Sequence, residues 1–337
     1  MTPPLRLSRR RALVLASLLL GSLCLVSLLL GAGDSGPADS LLALLGGADD
    51  ETRFVVHVLR LSRMELALLV GGALGAAGML LQSVTRNPLA EPGLLGVSAG
   101  SAFAVVLAIS LGASIADHGL VVATLGALGG CLLVLAVSHL RGVGEDPVRL
   151  VLAGVAFSGL LNALSSMILL WDQRTADEVR FWVVGSLAGR PVETLSWTLP
   201  GLIVGLLLSL PLIRPLAAMA LGERVATGLG HHPLLVRMWT LLAVAVLVGT
   251  ANAAAGPIAF LGLIVPYLVR RAVGFDIRQG FALCLLLGPC VMLSADILAR
   301  LLVRPYELPV GVVTAFIGAP ILIAVVRSHR LPTLQRR

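Results

Sequence analysis

The chain has 337 residues, 57% hydrophobic and only 13% charged, with a mean hydropathy of +0.97; a soluble domain that apolar could not cover its own surface with polar groups. The net charge is +7 and all 25 basic residues are arginine. Without lysine there is no Walker A loop, whose Lys must reach the β- and γ-phosphates, and the scatter of the arginines over short loops excludes a nucleic-acid footprint.

In chain order, Arg6, Arg9, Arg10 and Arg11 precede an uncharged run, Ala12 to Gly33. It is longer than a signal h-region and no A-x-A site follows, so it reads as a retained first helix. Further apolar runs fall at 64–85, 93–113, 119–140, 150–171, 193–213, 238–269, 280–303 and 308–326. A membrane helix needs about 20 apolar residues. The run at 238–269 would be about 48 Å long as one helix, and it holds Asn252 and the pair Gly256-Pro257. Two short spans with a turn near 250–257 fit better.

The total is then ten spans. With the N-terminus inside, Arg53, Arg60, Arg63, Arg174, Arg180, Arg190, Arg300 and Arg304 lie outside and the other 17 arginines inside, as the positive-inside rule prefers. Nine spans would put Arg327, Arg330, Arg336 and Arg337 outside. The expected fold is an all-α polytopic membrane protein with ten transmembrane helices and both termini cytoplasmic. Residues 1–337 form one such domain.

Small residues crowd the spans, as in Gly71-Gly72-Ala73-Leu74-Gly75-Ala76-Ala77-Gly78, which suits close helix packing in lipid. Gln82, Ser158 and Asn162 are expected to bond across helices or line a path. Cys24, Cys131, Cys284 and Cys290 lie in apolar runs and lack the spacing of a zinc site or disulfide framework. No metal role is assigned to His57, His118, His139, His231, His232 or His329, and no cofactor is expected in the chain.

Three stretches go beyond composition: Arg86-Asn87-Pro88-Leu89-Ala90-Glu91-Pro92-Gly93-Leu94-Leu95-Gly96-Val97-Ser98-Ala99-Gly100; Gly256 to Arg270, with Gly262-Leu263-Ile264-Val265-Pro266-Tyr267; and Glu307-Leu308-Pro309-Val310-Gly311-Val312-Val313-Thr314 through Pro320. Together with Leu150–Ala156 and Trp182–Leu187, they resemble the permease family of ATP-driven importers for iron–siderophore complexes, haem and vitamin B12. The similarity runs from about Arg60 to Ala324. Tyr267 stands where that family usually has His, and Ser62 where it usually has Pro.

The resemblance implies a bacterial cytoplasmic-membrane importer. Its parts would be two permease subunits (identical or related), two cytoplasmic ATPases that bind ATP-Mg, and an extracytoplasmic substrate-binding protein. It implies docking of that protein's acidic residues on Arg60, Arg63 and Arg300, although such arginines can also be snorkelling anchors. It implies an ATPase-coupling segment at Leu221, Gly222, Glu223, Arg224, Ala226, Leu229 and Gly230. It further implies a cytoplasmic gate at Asn87, Pro88, Leu89, Pro147 and Val148. Independently of the resemblance, Asp296 lies four residues before Arg300, a spacing that permits a helical ion pair.

The leading expectation is therefore a non-enzymatic permease subunit, most probable cargo a ferric siderophore, with haem and cobalamin as alternatives. An ion-coupled secondary transporter would need intramembrane carboxylates or histidines, and Asp296 is the main candidate. An intramembrane enzyme would need a catalytic constellation such as H-E-x-x-H, which the sequence lacks.

Overall fold

The computed structural model describes residues 7–33, 35–139 and 147–327. Among them every regular element is a helix: α1 (Arg9–Leu29), α2 (Pro37–Leu44), α3 (Asp50–Phe54), α4 (Leu61–Val84), α5 (Val97–Ser110), α6 (Ile115–His139), α7 (Pro147–Trp171), α8 (Gln173–Val183), α9 (Thr194–Ser209), α10 (Ile213–Ala220), α11 (Glu223–Gly228), α12 (Pro233–Ala255), α13 (Leu261–Val273), α14 (Ile277–Leu301) and α15 (Val310–Arg327). A π-helical turn, Val55–Arg60, joins α3 to α4 into one 35-residue helix, and a 3₁₀ turn at Leu210–Leu212 fuses α9 to α10. Six helices are long and apolar enough to cross a membrane, and Val97–Ser110, His118–Val134 and Val310–Ala324 are shorter apolar segments. The chain is a multi-pass membrane protein.

Every apolar run falls on helix, and the run at 238–269 falls on two. The break lies slightly later than the sequence suggests. Asn252 stays inside α12, which keeps 23 residues, and the chain leaves the helix at Gly256 (φ 76°). Pro257 cannot continue the ladder. Helix resumes after Phe260, itself left-handed at φ 67°. The α13 that follows has 13 residues, about 20 Å at 1.5 Å per residue, too short to cross a core of about 30 Å unaided.

Exposed backbone at such a break must be satisfied within the protein if lipid surrounds it. Two segments do this, and a third is tied to one of them. Ser186 N–H donates to Ala255 O (2.8 Å), Gly311 N–H donates to Gly185 O (2.9 Å), and the Glu91 carboxylate accepts from Phe260 N–H. Glu91 is only 6% exposed. The stretches singled out in the sequence, 86–100, 182–187, 256–270 and 307–320, thus meet around one discontinuity.

The core is built on α4, buried continuously from Val70 to Gln82. A Cβ on Gly71 would stand 2.7 Å from Gly288 O of α14, and one on Gly78 would overlap Gly262 O at the start of α13. These glycines let three backbones touch. Outside the bundle, the amphipathic α8 begins at Asp172, whose carboxylate accepts from Arg174 N–H (3.1 Å) and Thr175 N–H (3.3 Å) and from the Thr175 hydroxyl (2.5 Å). Those bonds hold its pKa below the usual carboxylate value, the Thr175 hydroxyl first.

Candidate functional sites on the bundle

At the end of the bundle where α4 begins, the three arginines singled out in the sequence converge, and all are engaged inside the chain. Arg60 is 5% exposed; its guanidinium donates to Leu28 O (3.0 Å), Leu29 O (3.2 Å), Ser40 Oγ (2.7 Å) and Ser35 Oγ (2.6 Å). Arg300, 2% exposed, donates to Ser27 O (3.0 Å), Leu30 O (2.8 Å) and Ser27 Oγ (2.7 Å). The last carbonyls of a helix have no partner within it, and two guanidinium groups therefore cap the C-terminus of α1.

Arg63 sits between two carboxylates. It meets Asp296 Oδ1 at 2.7–2.8 Å and Glu307 Oε2 at 2.5 Å. Asp296 is fully buried, and its Oδ2 lies 3.0 Å from Arg300 Nη2. The helical Asp296–Arg300 pair expected from spacing is present, and Arg63 from across the bundle joins it. Of the three, Arg63 reaches the surface through its edge with Glu307, with side-chain exposures of 12% and 30%, while Arg60 and Arg300 are buried among partners within the chain. Leaving a buried guanidinium unpaired would be costly. Glu307 lies in the third motif, where a carboxylate in so acid-poor a region is the signal the sequence offers for this role.

At the opposite end, the loop after α4 is folded by its own groups. Asn87 Oδ1 accepts from Leu89 N–H (2.9 Å), and Arg86, at φ 50°, donates to Met219 O (2.6 Å). Asn87, Pro88 and Leu89 are half-buried. Pro147 opens α7 with Val148 behind it, but their side chains lie outside the described residues, as do Arg6, Arg141, Arg330, Arg336 and Arg337.

The segment 221–230 forms a turn and the short α11. Gly222 (φ 122°) and Gly230 (φ 82°) bracket it, and Glu223 pairs with Arg237 of α12. Ala226 is completely buried, packed against the rest of the chain. Leu221, Val225 and Leu229 are 72%, 44% and 62% exposed. They do not share one helix: Leu221 ends α10 before the Gly222 turn, Val225 lies in α11 and Leu229 follows its last turn, so they are three exposed apolar residues of one short segment. Arg224 is exposed beside them.

Of the six long apolar helices, α7 is the least covered by the chain: 11% of its apolar window, Leu152–Trp171, is buried. Ser158, Asn162, Ser165 and Ser166 line one side of it at helical spacing. Ser158 bonds across to Gly93 O (3.4 Å) and Gln82 to Gly262 O (3.3 Å), as expected. Asn162 is exposed and its side chain makes no cross-helix bond among the described residues. Among those residues no group of three or more His, Cys, Asp or Glu could hold a metal ion.

The comparisons with known proteins agree with this layout. The chain is 44% identical over 303 residues to the ferric enterobactin transport system permease protein FepD of Escherichia coli K12, covering 90% of each chain. It is 37% identical over 277 residues to the iron(3+)-hydroxamate import system permease protein FhuB of Bacillus subtilis 168, covering 82% of this chain and 72% of that one. Among solved structures, a chain described as a metal-chelate type ABC transporter in an inward-facing conformation superposes with a TM-score of 0.81 at 30% identity, over 95% of this chain and 99% of that one. The model of the FecCD transport family matches residues 16–328, and the chain belongs to that family.

Proposed function

We propose that the chain is the permease subunit of an ATP-binding-cassette importer that carries a ferric siderophore across the bacterial cytoplasmic membrane. Its partners in this reading are a second permease, two ATPases and a substrate-binding protein. The observation that carries the proposal is the poorly covered α7 with its Ser158–Asn162–Ser165–Ser166 side. The Ser165 and Ser166 hydroxyls donate to Leu161 O and Asn162 O of their own helix, so the group that is unfavourable against lipid is the exposed Asn162 amide, and it suits a water-filled path shared with a second permease. The relatives' ferric enterobactin and iron-hydroxamate cargoes support the cargo class, and the absence of lysine means that ATP must be hydrolysed on other chains.

In this reading the ten helices that carry the apolar runs are ten spans, α13 crossing together with the extended residues 256–260 that precede it, and both termini are cytoplasmic. Asn87, Pro88 and Leu89, with Pro147 and Val148, form the gate at the cytoplasmic end. Arg60 and Arg300 hold the outer end together, and Arg63 receives a carboxylate of the docking protein in exchange for Glu307. An ion-coupled secondary transporter is disfavoured, because Asp296 is held between Arg63 and Arg300 and has little freedom to exchange protons.

The exposed apolar residues Leu221, Val225 and Leu229 then seat in a cleft of the ATPase, with Gly222, Glu223, Arg224 and Gly230 shaping the segment and Ala226 fixing it to the bundle. The experiment is ATP-driven uptake by the reconstituted complex with its binding protein. Leu221→Asp or Leu229→Asp is expected to weaken ATPase attachment by about tenfold or more, as loss of an apolar anchor of more than about 1.4 kcal/mol does, and to abolish uptake while the permease stays folded. Uptake on an ion gradient by the chain alone, without nucleotide, would overturn the whole reading.

A separate measurement addresses docking. Glu307→Gln releases Arg63 from its exposed competitor, so binding-protein affinity is expected to rise severalfold at low salt, with the gain shrinking as salt screens the charges. An unchanged affinity across salt would argue that Arg63 takes no part in docking.

A further inference from the structure

We propose that a cavity between α4, α10 and the start of α14 is a binding site for a phosphate group. It has a volume of about 120 Å³ and is lined on its polar side by Gln82, Ser83, Arg86, Arg270 and Asp276. Arg270 is 8% exposed. Its Nη2 donates to Gln82 Oε1, but its buried Nε finds no acceptor, and no carboxylate pairs with it among the described residues.

Buried charges are ordinarily paired, so this guanidinium calls for an anion. Arg86 lines the same cavity. One of its nitrogens is used on Met219 O (2.6 Å), and it too has no carboxylate partner among the described residues. Asp276 opposes them, yet its oxygens accept from Arg278 N–H (2.9 Å) and Gln279 Nε2 (3.3 Å) at the start of α14. The Ser83 hydroxyl donates to Met79 O (2.7 Å), and Gln82 Nε2 donates to Gly262 O. The unused donors are therefore the two guanidinium groups, leaving the cavity with one positive charge in excess.

A phosphate has enough acceptor oxygens to serve two guanidinium forks at once. Phe275 stands 50% exposed beside the opening, and the cavity lies where α4 ends and α14 begins. An aromatic at such a level and a basic pocket between helix ends suit the headgroup phosphate of an anionic phospholipid in the cytoplasmic leaflet. That choice of leaflet rests on the sidedness proposed above. Free phosphate offers the same chemistry. Because α10 leads into α11, occupancy would stiffen the support of the coupling segment.

The test titrates the detergent-solubilised permease–ATPase complex with short-chain phosphatidylglycerol, short-chain phosphatidylcholine or inorganic phosphate, reading the melting midpoint and retained adducts by native mass spectrometry. Phosphatidylglycerol is expected to raise the midpoint and to remain bound, and phosphatidylcholine to do neither. Arg86→Gln should weaken the effect about tenfold or more, the scale of a charge-assisted contact, while Arg278→Gln, which removes an equal charge outside the cavity, should leave it intact. If inorganic phosphate acts at millimolar concentration and phosphatidylglycerol does not, the site stands and its ligand is the free ion. Should Arg86→Gln fail to assemble, Ser83→Glu places a carboxylate in the cavity and is expected to abolish binding. No effect of either phosphate source, or an equal loss in Arg86→Gln and Arg278→Gln, would overturn the proposal; neither outcome bears on ATP-driven uptake.

Discussion

Replacing Asp296 with Asn is expected to destabilise the permease by about 3–5 kcal/mol, the range for removing one partner of a buried ion pair. Asp296 is fully buried and its two oxygens face Arg63 and Arg300 separately. Arg63 would keep Glu307 at 2.5 Å, whereas Arg300, 2% exposed, would keep only neutral acceptors at the end of α1. The loss should therefore fall mainly on the contact between α1 and α14. Chemical unfolding of the detergent-solubilised protein, with the amount of permease in membranes alongside, measures it. A double-mutant cycle with Arg300→Met should show strong coupling, because the second substitution removes the stranded charge. If Asp296→Asn unfolds within about 0.5 kcal/mol of the parent, the value typical of exposed sites, the guanidinium groups must reach water and the network is not buried in the membrane-embedded protein.

The second large effect is steric. Gly78→Ala is expected to cost about 1–3 kcal/mol, the usual penalty of overpacking, and Gly78→Leu more, with transport lost in both. The added Cβ meets the carbonyl of Gly262, a backbone atom in the first turn of α13, not a flexible side-chain tip. That turn cannot withdraw easily: Glu91 holds Phe260 N–H and Gln82 holds Gly262 O. The half-helix would be pushed off α4, and with it the discontinuity that the motifs surround. Gly21 of α1 has open space around its would-be Cβ; Gly21→Ala is expected to be neutral or to stabilise by roughly 0.5–1 kcal/mol through helix propensity. Equal behaviour of the two alanine variants in melting and uptake would refute close α4–α13 packing.

Much of the helical layout could be read before any coordinates. Apolar run length finds α1, α4, α9, α14 and α15 because each must bury or expose a whole helix surface to an apolar environment, and Gly256-Pro257 marks the break because Pro lacks an N–H and Gly tolerates φ 76°. Short or amphipathic elements escape such a reading: α2, α3 and α8 are made by local caps, such as Asp172 and Asp49, and carry no long apolar signal.

The functional residues divide similarly. Spacing within one helix suffices for Asp296–Arg300, and Leu221 and Leu229 lie in a segment already singled out. Ala226 belongs to the same segment, and its burial depends on packing against the rest of the chain. Glu91, Glu307 and the pairing of Arg270 with Gln82 were invisible as partners, since their contacts link positions 169, 244 and 188 residues apart.

Composition and periodicity by themselves determined that this is a lysine-free helical membrane protein with a fixed order of hydrophobic segments, because water and lipid sort residues by local chemistry alone. Which arginines are spent internally, which glycines face a backbone and where an unpaired guanidinium meets a cavity were decided only by tertiary structure. Those properties belong to pairs of distant segments, and short-range contacts between them exist only once the chain has folded.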